Sequence, residues 1–223
     1  MVDAVVTISR EFGTGGKPIG EKLAKSLGIP FYDKEIFQMA ADRYDFPTEH
    51  IDKSDEMIMK SFLSNLKHSD YLNFDTAYYA GFDSSAYYDI PVTDTVFSMQ
   101  SRIIKEVASL GSCVIVGRCA DYILRDNPKL VKIFICGEIE DKMEYAVEYY
   151  KVPERKAAST VKKIDKNRAY YYNRFTDLKW GDIHNHNLII NTSFTGVDGA
   201  VKLIETLLEV RELGQISKNR GAD

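Results

Sequence analysis

The stretch from Ala4 to Leu27 constrains the fold of this chain more than any other feature of its sequence. Ala4 to Ile8 is a short run of apolar, mostly β-branched residues, which is typical of a strand buried on both faces. The next nine residues, Ser9 to Lys17, place three glycines within four positions. Glycines at this density allow backbone conformations and close approaches that a Cβ atom blocks, so we expect a ligand to touch this backbone.

A helix is predicted directly after the glycine-rich loop. Pro18 suits the first turn of a helix, where its missing N–H costs no hydrogen bond. Apolar residues then recur every four positions and form one stripe, at Ile19, Leu23 and Leu27. Gly28 is the expected end of this helix. The loop therefore leads from a strand into a helix N-terminus.

This strand, loop and helix together predict a binding site for phosphate. Free amides at a helix N-terminus and the helix dipole both favour an anion, and Lys17 adds a positive charge. The predicted phosphate ligands are Gly13, Thr14, Gly15, Gly16 and Lys17. The Walker pattern is not met, because alignment on Lys17 places Glu11 at its first glycine and Pro18 at its hydroxyl position. A plain tight turn between strand and helix is the alternative.

Composition limits the classes of function that are open to the chain. Its 223 residues allow one domain, with or without a substantial insertion. The net charge of −4 argues against binding of nucleic-acid polymers, so a nucleotide site is expected to be a local basic pocket. The sequence shows no secretory leader and no apolar run of membrane-spanning length, and its three cysteines have no metal-ligand spacing. These features predict a cytoplasmic protein with reduced thiols, no metal cluster and no membrane partner.

Strands and helices alternate along the rest of the chain. Further strands are predicted at 29–33, 113–116, 130–136 and 188–190, because each is a short apolar run. Helices are predicted at 34–42, 95–110, 139–150 and 153–175, followed by a last helix with Val197, Val201, Ile204 and Leu208 on one face. This alternation predicts an α/β fold with a mostly parallel sheet and helices on both of its faces.

Four local features of these helices are also predicted. Asp94 is expected to cap the helix that starts at Thr95, and Leu110 is expected to share the buried face of that helix. The three tyrosines at 170–172 are expected to interrupt the helical pattern of 153–175. The chain after Leu213 is expected to fray.

The segment at about 46–92 differs in character from the alternating elements. Its first part suggests helices, and residues 71–88 are rich in Tyr, Phe, Asp, Ser and Gly without a clear period. We interpret it as an insertion over the site. Its aromatic side chains either stack on a base or simply pack the insertion together.

Polar residues follow two of the predicted strands. Asp33 ends the second strand, and Arg118 follows Gly117 at the end of the third. Because ligands collect at the carboxyl ends of strands in open α/β sheets, both side chains are expected to converge on the glycine-rich loop. Asp is also a common helix cap, so for Asp33 a capping role and a ligand-facing role remain equally open. Arg118 is a candidate phosphate ligand.

The helix predicted at 153–175 carries many basic residues. Solvated basic helix faces are common, and Asp165 and Arg168, one turn apart, fit a routine surface ion pair. The nearby phosphate loop favours a functional interpretation, because a transferable phosphoryl group needs cations to close over it. The basic side chains of this helix are therefore candidates to close over the loop.

Five motifs resemble those of one known family. They are Thr7-Ile8-Ser9-Arg10-Glu11-Phe12-Gly13-Thr14-Gly15-Gly16-Lys17, Ile29-Pro30-Phe31-Tyr32-Asp33-Lys34-Glu35, Gly117-Arg118, Asp165-Lys166-x-Arg168 with Tyr171-Tyr172, and Ile190-Asn191-Thr192. Spread over nearly the whole chain, they resemble the cytidylate kinase-like family within the nucleoside monophosphate kinases. The resemblance implies a single three-layer P-loop kinase domain over 1–223, with a nucleotide-binding insertion at about 46–92 and a lid at about 151–176.

The resemblance also implies an activity and roles for individual residues. It implies phosphoryl transfer from ATP, with Mg²⁺, to a nucleoside monophosphate, above all CMP or dCMP. Lys17, Arg118 and Arg168 would act in catalysis, and Asp33, Arg43, Arg118 and Arg174 would bind the acceptor. Nucleotides are then the expected partners.

Two other functions stay open at this point. P-loop kinases use one core for many acceptors, so the acceptor could be a different small molecule. A non-catalytic nucleotide-binding module is the other alternative, because Pro18 stands where a Mg²⁺-binding hydroxyl belongs.

Overall fold

A computed structural model describes residues 2–43 and 90–220 of the chain. The strands are β1 (Val5–Arg10), β2 (Phe31–Tyr32), β3 (Cys113–Val116), β4 (Leu130–Cys136) and β5 (Leu188–Asn191). The helices are α1 (Gly16–Leu27), α2 (Glu35–Arg43), α3 (Ile90–Ser109), α4 (Ala120–Ile123), α5 (Ile139–Tyr150), α6 (Glu154–Thr176) and α7 (Thr192–Arg220), with a 3₁₀ turn at Ile183–Asn185. The predicted insertion at about 46–92 lies almost entirely outside the described residues.

The described strands form one parallel sheet with β1 at its centre. The order across the sheet is β2-β3-β1-β4-β5, and Val5 pairs with Cys113 on one side and with Leu130 on the other. All of the neighbouring pairs run parallel. The predicted parallel α/β sheet is therefore confirmed, and its carboxyl edge gathers the loops that follow β1, β2 and β3.

The sheet is buried on both faces because alternate side chains of each strand enter different cores. Val6 and Ile8 belong to a core shared with α1 and α7, whereas Val5 belongs to a core shared with α2, α3 and α4. The predicted apolar faces of α1 and α7 pack here, through residues that include Ile19, Leu23, Ile204 and Leu208. This burial on both sides explains why the strands read as continuous apolar runs.

A third, smaller core lies between α5 and α6. Its buried members are Phe12, Ala146, Val161 and Ile164. The Phe12 ring stacks on Tyr150, with ring centroids 4.7 Å apart. A residue of the glycine-rich loop is thus packed between α5 and α6, and α6 covers most of the segment predicted as a lid at about 151–176.

Helix α3 differs from its prediction at both ends. It begins at Ile90, so Asp94 lies inside the helix and does not cap it. Pro91 is tolerated there because a first-turn residue needs no N–H. The helix ends at Ser109, and Leu110 is 79% exposed because it lies beyond the last turn, next to Gly111 with φ 145°. The predictions for Asp94 and Leu110 are wrong.

Helix α6 runs unbroken through the three tyrosines, so the predicted interruption is also wrong. Successive helical residues point about 100° apart, and each tyrosine therefore meets a different environment. Tyr172 is buried, Tyr171 packs at the edge of the α2–α4 core, and Tyr170 is 45% exposed. Helix α7 bends at Gly196 and continues to Arg220, past Leu213, where fraying was expected.

No helix within residues 2–43 and 90–220 combines the length and the apolar character that a membrane span requires.

Candidate functional site

The glycine-rich loop lies at the carboxyl edge of the sheet, between the end of β1 and the start of α1. Gly15 caps α1 in the left-handed region, with φ 73°, and no side chain accepts a hydrogen bond from the first turn. The Ile19 amide donates to the Gly15 carbonyl at 3.0 Å and begins the helical pattern. The amides of Gly16 and Lys17 precede it and emerge from the helix terminus, where an anion is favoured.

A concave surface surrounds this helix terminus. Its lining residues are Arg10, Glu11, Gly13, Thr14, Gly15, Gly16, Lys17, Asp33, Tyr150 and Arg168. The fold thus brings Asp33 of the second strand end and Arg168 of α6 to the predicted phosphate ligands. It also brings Arg10, Glu11 and Tyr150, to which sequence reasoning gave no separate role.

The Arg10 side chain links the glycine-rich loop to the end of β3. Its aliphatic part lies against Gly16, where an added Cβ would come within 2.9 Å of Arg10 Cβ. Its guanidinium covers Gly117, whose φ of 72° and missing Cβ leave room for Arg10 Nη1. A cation therefore lies between the ends of the two neighbouring strands.

Arg118 has an unusual backbone conformation. Its φ is 62°, and that of the next residue, Cys119, is 54°. Left-handed backbone at two successive non-glycine residues costs about 1–2 kcal/mol each and occurs mainly at functional sites. Cys119 is 4% exposed, and burial raises the pKa of its thiol well above the usual range. Among the described residues, Arg118 lies outside the lining of the concave surface.

A buried ion triad connects the loop to helices α5 and α6. Lys142 of α5 contacts Glu11 at 2.9 Å and Asp165 at 2.8 Å, and its side chain is 8% exposed. Burial disfavours the charged amine, yet the hydrogen bonds that it donates to Asp165 and Glu11 outweigh this effect and raise the pKa of Lys142. Asp165 also accepts a hydrogen bond from the Phe12 amide at 2.6 Å.

The partners of Asp165 and Arg168 differ from a simple surface ion pair. Asp165 is held by Lys142 and by the loop amide of Phe12. Arg168 donates through Nη1 to the Arg10 carbonyl at 2.9 Å. Both side chains therefore join α6 to the glycine-rich loop and the strand before it.

The motif at the end of the last strand, Ile190-Asn191-Thr192, also contacts the loop. Thr192, directly after β5, donates through Oγ1 toward the Thr14 and Cys136 carbonyls, each at 3.1 Å. The Thr14 hydroxyl donates to the Glu11 carbonyl at 2.8 Å. These bonds fix the loop conformation from two sides.

Of the remaining predicted site residues, Lys17 lines the concave surface, whereas Arg43 and Arg174 lie away from it. Lys17 lies 3.6 Å from Glu21, one turn along α1. Arg43 is bonded to Glu106 of α3, and the exposed Arg174 has its guanidinium 5.6 Å from the Phe175 ring centroid. Neither Arg43 nor Arg174 is among the described residues that line the concave surface. Their acceptor-binding roles remain predictions.

Three groups that shape the site were not singled out by sequence. Arg10 and Glu11 stand inside the quoted loop, but the glycine pattern gives them no role. Lys142 lies on a helix among Glu140, Asp141 and Glu144, a pattern typical of a solvated helix face. Only the packing of α5 against the loop reveals it. Within the part of the chain that the structure describes, no group of His, Cys, Asp and Glu side chains has the arrangement of a metal site.

Comparison with known proteins agrees with this geometry. The model of the cytidylate kinase-like family matches residues 5–194. A crystal structure of an uncharacterized protein from Eubacterium ventriosum is 30% identical, covers 93% of this chain and 99% of that one, and has a TM-score of 0.66. No curated protein sequence matches the chain.

Two kinases share the fold at low sequence identity. Shikimate kinase from Bacteroides thetaiotaomicron is 12% identical, with coverage of 92% and 98% and a TM-score of 0.51. A gluconokinase from Sinorhizobium meliloti is 12% identical, with coverage of 96% and 98% and a TM-score of 0.52. The chain has the fold of the P-loop kinases and belongs to the cytidylate kinase-like family.

Proposed function

We propose that this protein transfers the γ-phosphoryl group of ATP to a nucleoside monophosphate, CMP or dCMP. The observation that carries the proposal is the shared concave surface, where the amides of the α1 N-terminus meet Arg10, Lys17 and Arg168. Amides and cations that converge on one point suit a polyphosphate. The family supports a phosphotransfer kinase, and the nucleotide acceptor is the finer part of the proposal.

The proposed chemistry relies on position and charge. Phosphoryl transfer has a loose transition state, so fixed donors and cations around the transferring group supply most of the catalysis. The loop from Gly13 to Lys17 would hold the donor phosphates. Arg168 would neutralise the group in transfer, since its bond to the Arg10 carbonyl fixes it over the loop. Arg118 would act from the end of β3 on the acceptor side.

The site also suits Mg²⁺ bound together with ATP. Mg²⁺ at such sites takes one or two carboxylates, and phosphate oxygens and water complete its coordination. Asp33 is 8% exposed and lines the concave surface, so its carboxylate would be the protein ligand despite Pro18 at the hydroxyl position. When bound, the ion neutralises phosphate charge.

A coupled assay of ADP release tests the proposal. The purified chain is given ATP and Mg²⁺ with each of CMP, dCMP, UMP, AMP, shikimate and gluconate, the last two because the kinases of similar fold are a shikimate kinase and a gluconokinase. We expect kcat/KM to be highest with CMP or dCMP. Turnover with shikimate or gluconate alone would assign a different small acceptor. Absence of turnover with every acceptor would contradict a kinase.

One observation favours a non-catalytic module as the second candidate. Lys17 lies within ion-pair distance of Glu21, and Pro18 follows it in place of a hydroxyl residue. Such a module would bind ATP equally well with and without Mg²⁺ in calorimetry and would turn over no acceptor. The kinase requires instead that Mg²⁺ strengthens ATP binding and that Lys17→Ala lowers kcat.

A further inference from the structure

The glycine-rich loop carries a carboxylate on the surface proposed to bind a polyanion. Glu11 lines the concave surface, and its side chain is 26% exposed. The second carboxylate of the triad, on Asp165, is 15% exposed and reaches the loop amide of Phe12. Two negative charges at low exposure would repel the phosphates of a nucleotide, because screening by water is weak there.

Lys142 compensates both of these charges at once. Its amine lies 2.9 Å from Glu11 Oε2 and 2.8 Å from Asp165 Oδ2. The two carboxylates have other donors as well, the Gly137 amide to Glu11 at 3.2 Å and the Phe12 amide to Asp165. Lys142 is therefore the common counter-charge of both carboxylates beside the loop.

The backbone of Lys142 also shapes the loop. Gly13 has φ 81°, and a Cβ on it would come within 2.5 Å of the Lys142 carbonyl oxygen. The helix that carries the amine is thus packed directly against a predicted phosphate ligand. This contact is independent of the ion pairs and places the same residue at the loop.

We infer that Lys142 is a positioning residue that neutralises Glu11 and Asp165, so that the glycine-rich loop beside these two carboxylates can accept a polyphosphate. The inference rests on the proposed function, because it assumes that ATP binds at this loop. Lys142 acts through the charge of its two partners. Loss of its charge should therefore weaken ligands in proportion to their own negative charge.

Calorimetric titration with ATP, ADP and AMP tests this dependence on charge. Lys142→Met should weaken ATP binding by about tenfold or more, ADP binding less and AMP binding least, a range expected for an uncompensated charge within about 8 Å. The loss of ATP affinity should shrink when KCl is raised from about 0.05 M to about 0.5 M. Lys156→Met, at an exposed position of α6, is the matched control and should bind all three as the parent does.

Two rescue variants separate charge from packing. Lys142→Arg keeps the positive charge and should retain most of the ATP affinity. The triple variant Glu11→Gln, Lys142→Met, Asp165→Asn removes all three charges together, and it should also recover ATP affinity. Equal losses for ATP, ADP and AMP, or a triple variant as weak as Lys142→Met, would overturn the inference.

A separate variant tests the inference in the case that Lys142→Met does not fold. Glu11→Gln keeps Lys142 and Asp165 paired, and it should strengthen ATP binding more than AMP binding because it removes one negative charge from the loop. Weaker or unchanged ATP binding in Glu11→Gln would contradict the inference. If the parent chain binds no ATP at all, the proposed function fails first, whereas parent binding without these differences overturns only the role of Lys142.

Discussion

Arg168 Nη1 donates a hydrogen bond to the Arg10 carbonyl oxygen at 2.9 Å. The bond joins the middle of α6 to the last residue of β1, directly before the glycine-rich loop. A guanidinium can donate to a carbonyl through one nitrogen and offer its remaining N–H groups to a phosphate. The position of this cation is therefore set by the sheet as well as by its own helix.

Arg168→Lys should lower kcat/KM by about tenfold or more with little change in melting temperature. Lysine keeps the charge, but its single ammonium lacks the fork that bonds the Arg10 carbonyl and a phosphate together. The measurement is the coupled assay beside a thermal melt. Lys166→Arg, two residues earlier and exposed, is the control and should leave both readings unchanged. Parental turnover in Arg168→Lys would show that the fork is unimportant.

Phe12→Ala should loosen the packing of α5 against α6 without unfolding the sheet. Phe12 is 1% exposed, and it fills the small core between α5 and α6. Removing a buried Phe side chain costs about 3–5 kcal/mol. We expect faster amide exchange in residues 139–164 and unchanged exchange in β1, β3 and β4.

Tyr149→Ala is the control for this exchange experiment. Tyr149 lies on the same helix but is 64% exposed, so its removal should leave amide exchange nearly unchanged. A uniform increase in amide exchange throughout the chain in Phe12→Ala would contradict a separate core between α5 and α6.

Burial raises the pKa of the Cys113 thiol to about 11, from 9.0. The folded state then keeps a proton that the unfolded chain loses, so the thiol's contribution to stability is complete below about pH 9 and is lost as the pH rises toward 11. Two pKa units correspond to on the order of 2–3 kcal/mol. Urea unfolding under reducing conditions at about pH 7, 9 and 10.5 should show this loss, and Cys113→Ala should show a smaller loss. Equal losses in the two chains would contradict the assignment.

Lys151→Gly should stabilise the chain by about 0.5–1 kcal/mol. Lys151 ends α5 with φ 55°, a conformation that glycine adopts without the strain caused by a Cβ atom. The free energy of unfolding from urea titration measures the gain. Lys151→Ala loses the same side-chain contacts but keeps the strain, and it should give no gain. Equal effects of Gly and Ala would show that backbone strain is absent there.

The sheet and its helices were predictable because the strands are buried on both faces. The strands predicted at 113–116 and 130–136 match β3 and β4 in every residue, and the helix predicted at 139–150 matches α5. Ends set by side-chain capping were less predictable. Asp94 resembles a cap in sequence, yet the backbone is already helical at Ile90, four residues earlier.

The candidate site was predictable only where backbone chemistry dominates. The local sequence of the glycines and Lys17 predicts an anion site. Asp33 lies beside them because parallel strands end at one edge of the sheet. Lys142 is 131 residues from Glu11, and its contact depends on how α5 packs against the loop. Local sequence patterns carry no information about such a distant ion pair.

The final prediction concerns Arg118, which we expect to be catalytic. It follows Gly117 at the end of β3 and has φ 62°, and the strain of this conformation fits a residue held in place for function. A strand-end arginine that neutralises a transferring phosphoryl group contributes on the order of 10³–10⁵ to turnover. Arg118→Ala should abolish turnover and change the melting temperature little, because the substitution removes no side chain from the apolar cores.

The control for Arg118→Ala is Arg125→Ala. Arg125 is exposed, and its guanidinium lies 4.3 Å from the Tyr122 ring centroid, so it is an arginine of the same chain region without contact to the loop. Arg125→Ala should keep full turnover. If Arg118 instead belongs to a buried ion pair, its loss should destabilise the fold by about 3–5 kcal/mol and the melting temperature should collapse. Such a collapse, or retained turnover in Arg118→Ala, would refute a catalytic role. The loss of a contact that forms only in the transition state slows turnover but leaves the stability of the folded state unchanged.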